Sequence, residues 1–139
     1  MMENSAYIKF SALPENEGFA RLTAAAFVMN KNSDLDFIDD IKTVVSEAVT
    51  NSIVHGYEGG LGEIEMKMTA DERCVYIEIT DFGKGIEDIT LARTPLYSTK
   101  PSENRAGIGF TVMETFTDEL KVESEKGKFT KVIMSKNYR

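Results

Sequence analysis

The segment from about Asp34 to Gly56 restricts this chain most. Ile41, Val44, Val45, Ala48, Val49, Ile53 and Val54 recur there at helical spacing. Asp34, Asp36, Asp39 and Asp40 load its beginning with negative charge, where the helix dipole favours it. Gly56 is a natural stop. A helix this apolar must be covered over most of its surface. Yet Glu47, Asn51 and His55 fall at i, i+4 and i+8 and form one polar stripe. The helix is too apolar for that stripe to be its wet side, so the stripe should face a cleft. A carboxylate one turn from an amide suits two jobs. The carboxylate can take a proton from a hydroxyl or a water. The amide oxygen can complete the shell of a hard cation such as magnesium. The same stripe also reads as a hydrogen-bonded helix end with His55 and Gly56 capping it, and spacing alone does not choose.

The rest of the chain alternates strands and helices. Residues 7–12 read as a first strand. A helix is predicted from Pro14 to about Asn30, with Phe19, Leu22, Thr23, Ala26 and Phe27 as its apolar side. Glu15, Glu17 and Arg21 lie on its other face, which reads as solvated. Two strands follow, 62–69 and 74–80, joined by a turn at Ala70-Asp71-Glu72. Val75, Ile77 and Ile79 share one face of the second, and Cys74 on the other reads as a small packing residue. A short helix at 87–92, an aperiodic stretch from Arg93 to Ala106, a helix from Gly107 to about Phe116 and two last strands, 119–124 and 128–135, complete the chain. That order predicts an α+β fold: a two-layer sandwich with a mixed sheet covered on one face by helices.

Composition narrows the function. At 139 residues one domain is expected. Lys and Arg number 16 against 23 Asp and Glu, a net charge of -7. An acidic chain is poorly suited to hold nucleic acid through its phosphates and suits a basic partner instead. One Cys excludes an internal disulfide framework and a cysteine-built zinc site, and one His weakens a His-rich metal reading. No apolar run reaches the roughly 20 residues of a membrane span, and the first residues do not form a signal peptide. A cytoplasmic setting without membrane contact is the expectation.

Two further motifs carry chemistry. Asp81-Phe82-Gly83-Lys84-Gly85 puts a carboxylate at a strand end beside two glycines. Glycine allows close backbone approach to a ligand, and the carboxylate can accept from an exocyclic amine such as adenine's. An ordinary tight turn would look the same. Gly107-Ile108-Gly109 opens a helix and offers free N–H groups at a positive dipole end, a phosphate cradle. No Gly-Lys-Ser/Thr follows, so this is not a Walker A loop. Lys100 and Arg105, in the aperiodic stretch, could reach phosphates.

In this order the motifs resemble the nucleotide-binding fold shared by gyrase, the Hsp90 chaperones, sensor histidine kinases and MutL. Glu47 through Tyr57 resembles the N-box of the bacterial anti-sigma factor serine kinases. Ser98-Thr99-Lys100-Pro101, the run from Gly107 to Glu114, and Glu15-Asn16-Glu17 with Phe19-Ala20-Arg21 resemble the same subfamily, so the likeness covers nearly the whole chain. The resemblance implies a homodimer that binds a sigma factor, here the sporulation sigma factor F. It also implies phosphorylation of a serine on an anti-anti-sigma factor with Mg-ATP, leaving ADP. Glu47 would be the general base and Asn51 the Mg2+ ligand. Asp81 would read the adenine amine, with Gly83 and Gly85 shaping the pocket. Residues 93–106 would be the ATP lid, with Ser98, Thr99, Lys100 and Arg105 at the nucleotide and Gly107, Ile108 and Gly109 at its phosphates. Thr130 would lie near the adenine, although Phe129 stands where the family has Gly. Glu17 and Arg21 would lie on the partner-docking surface. The family's sheet carries a left-handed connection, against the usual rule.

Competing readings differ in what they need. A sensor histidine kinase needs an upstream phosphoacceptor His, and His55 lies inside the candidate site. A chaperone-type clamp needs transducer domains after this module. A stress-response sigma factor is the alternative target. A sigma-binding module without catalysis would have no use for Glu47, Asn51, Asp81 and the glycines.

Overall fold

The structure, a computed structural model, describes residues 3–32, 34–94 and 106–138. Five strands form one sheet: β1 (Asn4–Ser11), β2 (Glu63–Ala70), β3 (Cys74–Asp81), β4 (Glu119–Glu125) and β5 (Phe129–Asn137). The helices are α1 (Asn16–Met29), α2 (Leu35–Asn51), α3 (Ile89–Ala92) and α4 (Ala106–Phe116).

Alternation of buried and more exposed residues, cleanest in β2, gives the sheet one inner face. In β2, Ile64, Met66, Met68 and Ala70 are fully buried, while Glu63 and Lys67 are exposed. Ile77 and Ile79 of β3 and Val132 and Met134 of β5 extend the same inner face. Phe37, Ile41, Val44, Val45, Ala48 and Val49 of α2 join them in one core. On the outer face Lys9 stands opposite Glu65 and Lys67 opposite Glu78, opposite charges that favour this register. The Asp34 carboxylate caps α2, accepting from Asp36 N–H at 2.9 Å and Phe37 N–H at 3.4 Å.

The α+β sandwich matches the expectation, but the sheet is antiparallel throughout rather than mixed. The strand order is β1-β2-β3-β5-β4, and every neighbouring pair is antiparallel. A helical connection usually joins parallel neighbours. Here β3 and β4 do point the same way. β5 turns back tightly at Gly127, which takes a φ of +79°, and inserts between them.

Helix α1 also departs from its expected facing. Its buried residues are Ala20, Ala24, Ala25, Phe27 and Val28. Phe19 and Leu22 are 50% and 58% exposed, and Ala26 is exposed too. Small residues on the inner side let α1 approach α2 closely, and that close packing wins over the larger Phe and Leu. Phe19 keeps one edge-on contact with Phe10, ring centres 6.1 Å apart.

Candidate functional site

Beyond Asn51, α2 widens into a π turn, Ser52–Gly56, in which Tyr57 N–H donates to Ser52 O at 2.9 Å. A helix continuous to Gly56 was expected. The widening has a local partner, the loop after β3. A Cβ on Gly56 would lie 2.8 Å from Asp81 Oδ1, and one on Gly83 would lie 2.1 Å from Gly56 O. Lys84 N–H donates to Gly56 O at 2.9 Å. Gly85, at φ +73°, would drive a Cβ to 2.2 Å from Glu125 O. The Asp81–Gly85 loop is thus wedged between the π turn and the β4–β5 turn, and its glycines are needed for backbone to meet backbone. Interruptions of this kind in helices recur at functional sites.

A cavity of about 780 Å³ opens beside this junction. Asn51, His55, Asp81, Gly85, Phe110 and Thr130 are among its lining residues. Asp81 is only 2% exposed. Burial raises its pKa above the ordinary carboxylate value, opposed by hydrogen bonds from the Ser52 hydroxyl and from Gly83 N–H, the latter at 3.0 Å. Asn51 is buried, and among the described residues neither its Oδ1 nor its Nδ2 has a hydrogen-bond partner. Such an amide is costly unless something else satisfies it.

The remaining polar stripe meets α4. A Cβ on Gly109 would stand 2.9 Å from Asn51 Nδ2, 3.1 Å from Asn51 Oδ1 and 3.2 Å from Glu47 Oε2. Glu47 is half-buried there and does not line the cavity itself. Gly107, Ile108 and Gly109 all lie in the first turn of α4, where N–H groups are unpaired within the helix. Ile108 is 43% exposed and lies outside the cavity lining. Ser98, Thr99, Lys100 and Arg105 fall outside the described residues, as does the body of the expected lid. Arg93, at that lid's start, donates from Nε to Glu114 on α4 at 3.0 Å.

Thr130 faces Asp81 across the β3–β5 ladder and so shares its face of the sheet. Its hydroxyl meets Ser124 Oγ at 2.9 Å. Ser124, Ser52, Lys84 and Lys126 also line the cavity and were not anticipated. Ser52 adjoins Asn51 in sequence, at the start of the π turn, and its hydroxyl hydrogen-bonds Asp81. Lys84 and Lys126 are the described cations at the cavity, each paired with a carboxylate: Lys84 with Glu58 at 3.8 Å and Lys126 with Glu87 at 3.4 Å. Among the described residues no cluster of three His, Cys, Asp or Glu could hold a metal by itself. Nor is any helix there long and apolar enough to cross a membrane.

On α1, well apart in sequence, Arg21 Nε donates to Glu17 Oε2 at 2.8 Å, with exposed Phe19 and Leu22 in the same stretch.

Comparison with known proteins is consistent from end to end. The model of the histidine kinase-like ATPase domain matches residues 10–136. An anti-sigma F factor of Clostridium acetobutylicum is 51% identical over 138 residues, covering 99% of this chain and 96% of the relative. One from Bacillus licheniformis is 45% identical over 137 residues, covering 98% and 94%. A crystal structure of the RsbU and RsbW domains of a Mycobacterium tuberculosis protein superposes on 98% of this chain with a TM-score of 0.64 at 17% identity. This chain spans 33% of that longer one, and the likeness there is of fold. With its antiparallel sheet, its interrupted N-box helix and matches along nearly its whole length, the chain belongs to the histidine kinase-like ATPase domain family, among the anti-sigma F factors.

Proposed function

We propose that this protein is an anti-sigma factor that holds the sporulation sigma factor F and, as a serine kinase, phosphorylates an anti-anti-sigma factor with Mg-ATP. The observation that carries the catalytic half is the buried Asn51 amide, without a hydrogen-bond partner among the described residues and set beside Glu47 and the first turn of α4. Magnesium at phosphate sites takes one or two protein ligands and fills its shell with water and phosphate oxygens. A lone amide oxygen with no competing partner fits that need, and a three-carboxylate cage is not required. Asn51 would hold the metal. Asp81, with Thr130 beside it, would accept from the adenine amine, and Gly85 would let the base lie close to the backbone. The α4 N–H groups at Gly107 and Gly109 would receive the phosphates.

Bound Mg-ATP supplies the phosphoryl group to be transferred and the charge that neutralises its oxygens. Glu47 does the acid–base work of this chain. It orients the incoming serine hydroxyl and takes its proton as the oxygen becomes a nucleophile. The absence of a Cβ at Gly109 lets the first turn of α4 pack close against the Asn51 amide and the Glu47 carboxylate. Glu17 and Arg21 would belong to the surface that receives the protein partners, in a homodimer. The net charge of -7 speeds encounter with a basic, DNA-binding sigma factor. The names of relatives at about half identity support sigma factor F over another sigma factor.

The test is Glu47→Gln. Phosphate transfer to the serine partner should fall by about 10²–10⁴-fold, the usual worth of a positioned base. Nucleotide affinity should hold. Undiminished transfer would remove Glu47 from the base role.

A further inference from the structure

The hydroxyl pair Ser124–Thr130, at the inner wall of the cavity, has a hydrogen-bond direction that can be worked out by counting protons. Ser124 Oγ lies 2.6 Å from the Phe129 carbonyl oxygen. A carbonyl can only accept, so the one Ser124 proton is committed there. Ile86 N–H donates to the same Oγ at 2.7 Å and occupies one of its lone pairs. The contact at 2.9 Å with Thr130 Oγ1 must therefore run the other way: Thr130 donates, into the second lone pair of Ser124. The Thr130 proton is spent, and its hydroxyl keeps only lone pairs for any ligand.

Ser124 stands directly opposite Thr130 in the β4–β5 ladder, and Thr130 directly opposite Asp81 in β3–β5. We propose that Ser124 is a positioning residue that locks the Thr130 hydroxyl as an acceptor, so that Thr130 and the Asp81 carboxylate present two acceptors side by side to a nucleobase. Where both acceptors meet the 6-substituent, such an edge favours a 6-amino purine, which offers two N–H donors there, over a 6-oxo purine, which offers a carbonyl there and keeps its N–H at the neighbouring N1. A site that leaves a buried polar group facing a like group rejects that ligand strongly. Asp81 alone would give part of this preference. Ser124 removes the escape by which Thr130 could rotate and donate to the 6-oxo group. This inference rests on the cavity being the nucleotide site.

The experiment measures ADP and IDP affinity of the full chain by calorimetry, and reads their ratio. The wild-type protein should prefer ADP. Ser124→Ala frees the Thr130 proton, and the preference should drop by about tenfold, the worth of one hydrogen bond gained or lost in a buried site. Ser124→Thr keeps a hydroxyl and should keep the preference. Thr130→Val should lower the preference as well, and adding Ser124→Ala to it should change nothing further. A merely structural Ser124 would weaken both nucleotides equally and leave the ratio fixed, which overturns the proposal. A Ser124→Ala effect undiminished on the Thr130→Val background also overturns it, because Ser124 would then act by another route. If the wild-type protein binds neither nucleotide, the site assignment itself fails and the proposal with it.

Discussion

Helices α1 and α2 lie on the same sheet and break the burial rule in opposite directions. Helix α2 and its π turn bury polar groups: Asn51 and His55 are each only 9% exposed. Helix α1 leaves apolar groups in water, with Phe19, Leu22 and Met29 each at least half exposed. A buried amide and an exposed apolar stripe are the two informative departures from the usual inside–outside sorting. On the proposed function, a small ligand would complete the hydrogen bonding of the first, and a protein surface would complete the burial of the second. One chain carries both, 22 to 36 residues apart in sequence, a division that suits the proposed kinase with a protein substrate.

The sharpest way to break the comparison on the α2 side is Asn51→Leu. Leucine repeats the branched shape of asparagine with bulkier methyls and no polar atoms. If the amide is kept for a ligand, the variant should be more stable by about 1 kcal/mol, because an unsatisfied buried amide is removed. Its magnesium-dependent nucleotide affinity should fall by about 10–100-fold, the scale of losses in metal-holding shells. Urea unfolding and calorimetry with and without magnesium report the two quantities. A variant that loses stability while binding nucleotide normally would make Asn51 an ordinary structural amide.

On the α1 side the expected effects are smaller. Arg21→Ala should weaken capture of the sigma factor or the anti-anti-sigma factor by about tenfold, the scale of an interface residue of moderate weight. Nucleotide affinity should not move. Leu22→Ser should act in the same direction and shift stability by less than about 0.5 kcal/mol, since an exposed side chain has little to lose. Surface plasmon resonance with each partner measures the first effect and thermal melts the second. If both variants bind partners normally, the exposed stripe of α1 has no docking role, and the contrast with α2 loses half its meaning.

The two regions differ in how legible they are in the sequence, for a physical reason. The α2 stripe was legible because Glu47, Asn51 and His55 interrupt an apolar pattern, and periodicity exposes any residue out of place. The facing of α1 is not legible in the sequence because both of its sides carry apolar residues, and hydrophobicity alone does not rank the close helix packing that alanines allow. The antiparallel sheet was hidden because strand direction depends on where β5 inserts, a choice between distant segments. Asp81 and its glycines stood out as a motif, but their tight fit against Gly56 and Glu125 is a tertiary matter. Ser124 was invisible: one serine in an alternating strand says nothing until the hairpin sets it opposite Thr130.

Asp81 gives the smallest effect and the subtlest test of the α2 side. Burial raises its pKa in the folded protein above the unfolded value of 3.8. A raised carboxylate stabilises the fold fully below the unfolded pKa, and that contribution is lost as pH rises through the folded pKa. Near neutral pH the buried charge is therefore a net cost to folding. Asp81→Asn carries no such charge, so its stability relative to wild type should improve as pH rises from about 4 into the neutral range. Urea midpoints of both proteins across that range isolate Asp81, because every other carboxylate is common to the two. A difference that stays flat with pH would mean that Asp81 is effectively solvated. Adding ADP should shrink the gap in favour of wild type, since an N–H donor delivered to the carboxylate stabilises its charged form. The Asp81 and Asn51 variants would then measure one property from two sides: how far a bound nucleotide offsets the cost of the polar groups buried at the cavity side of α2.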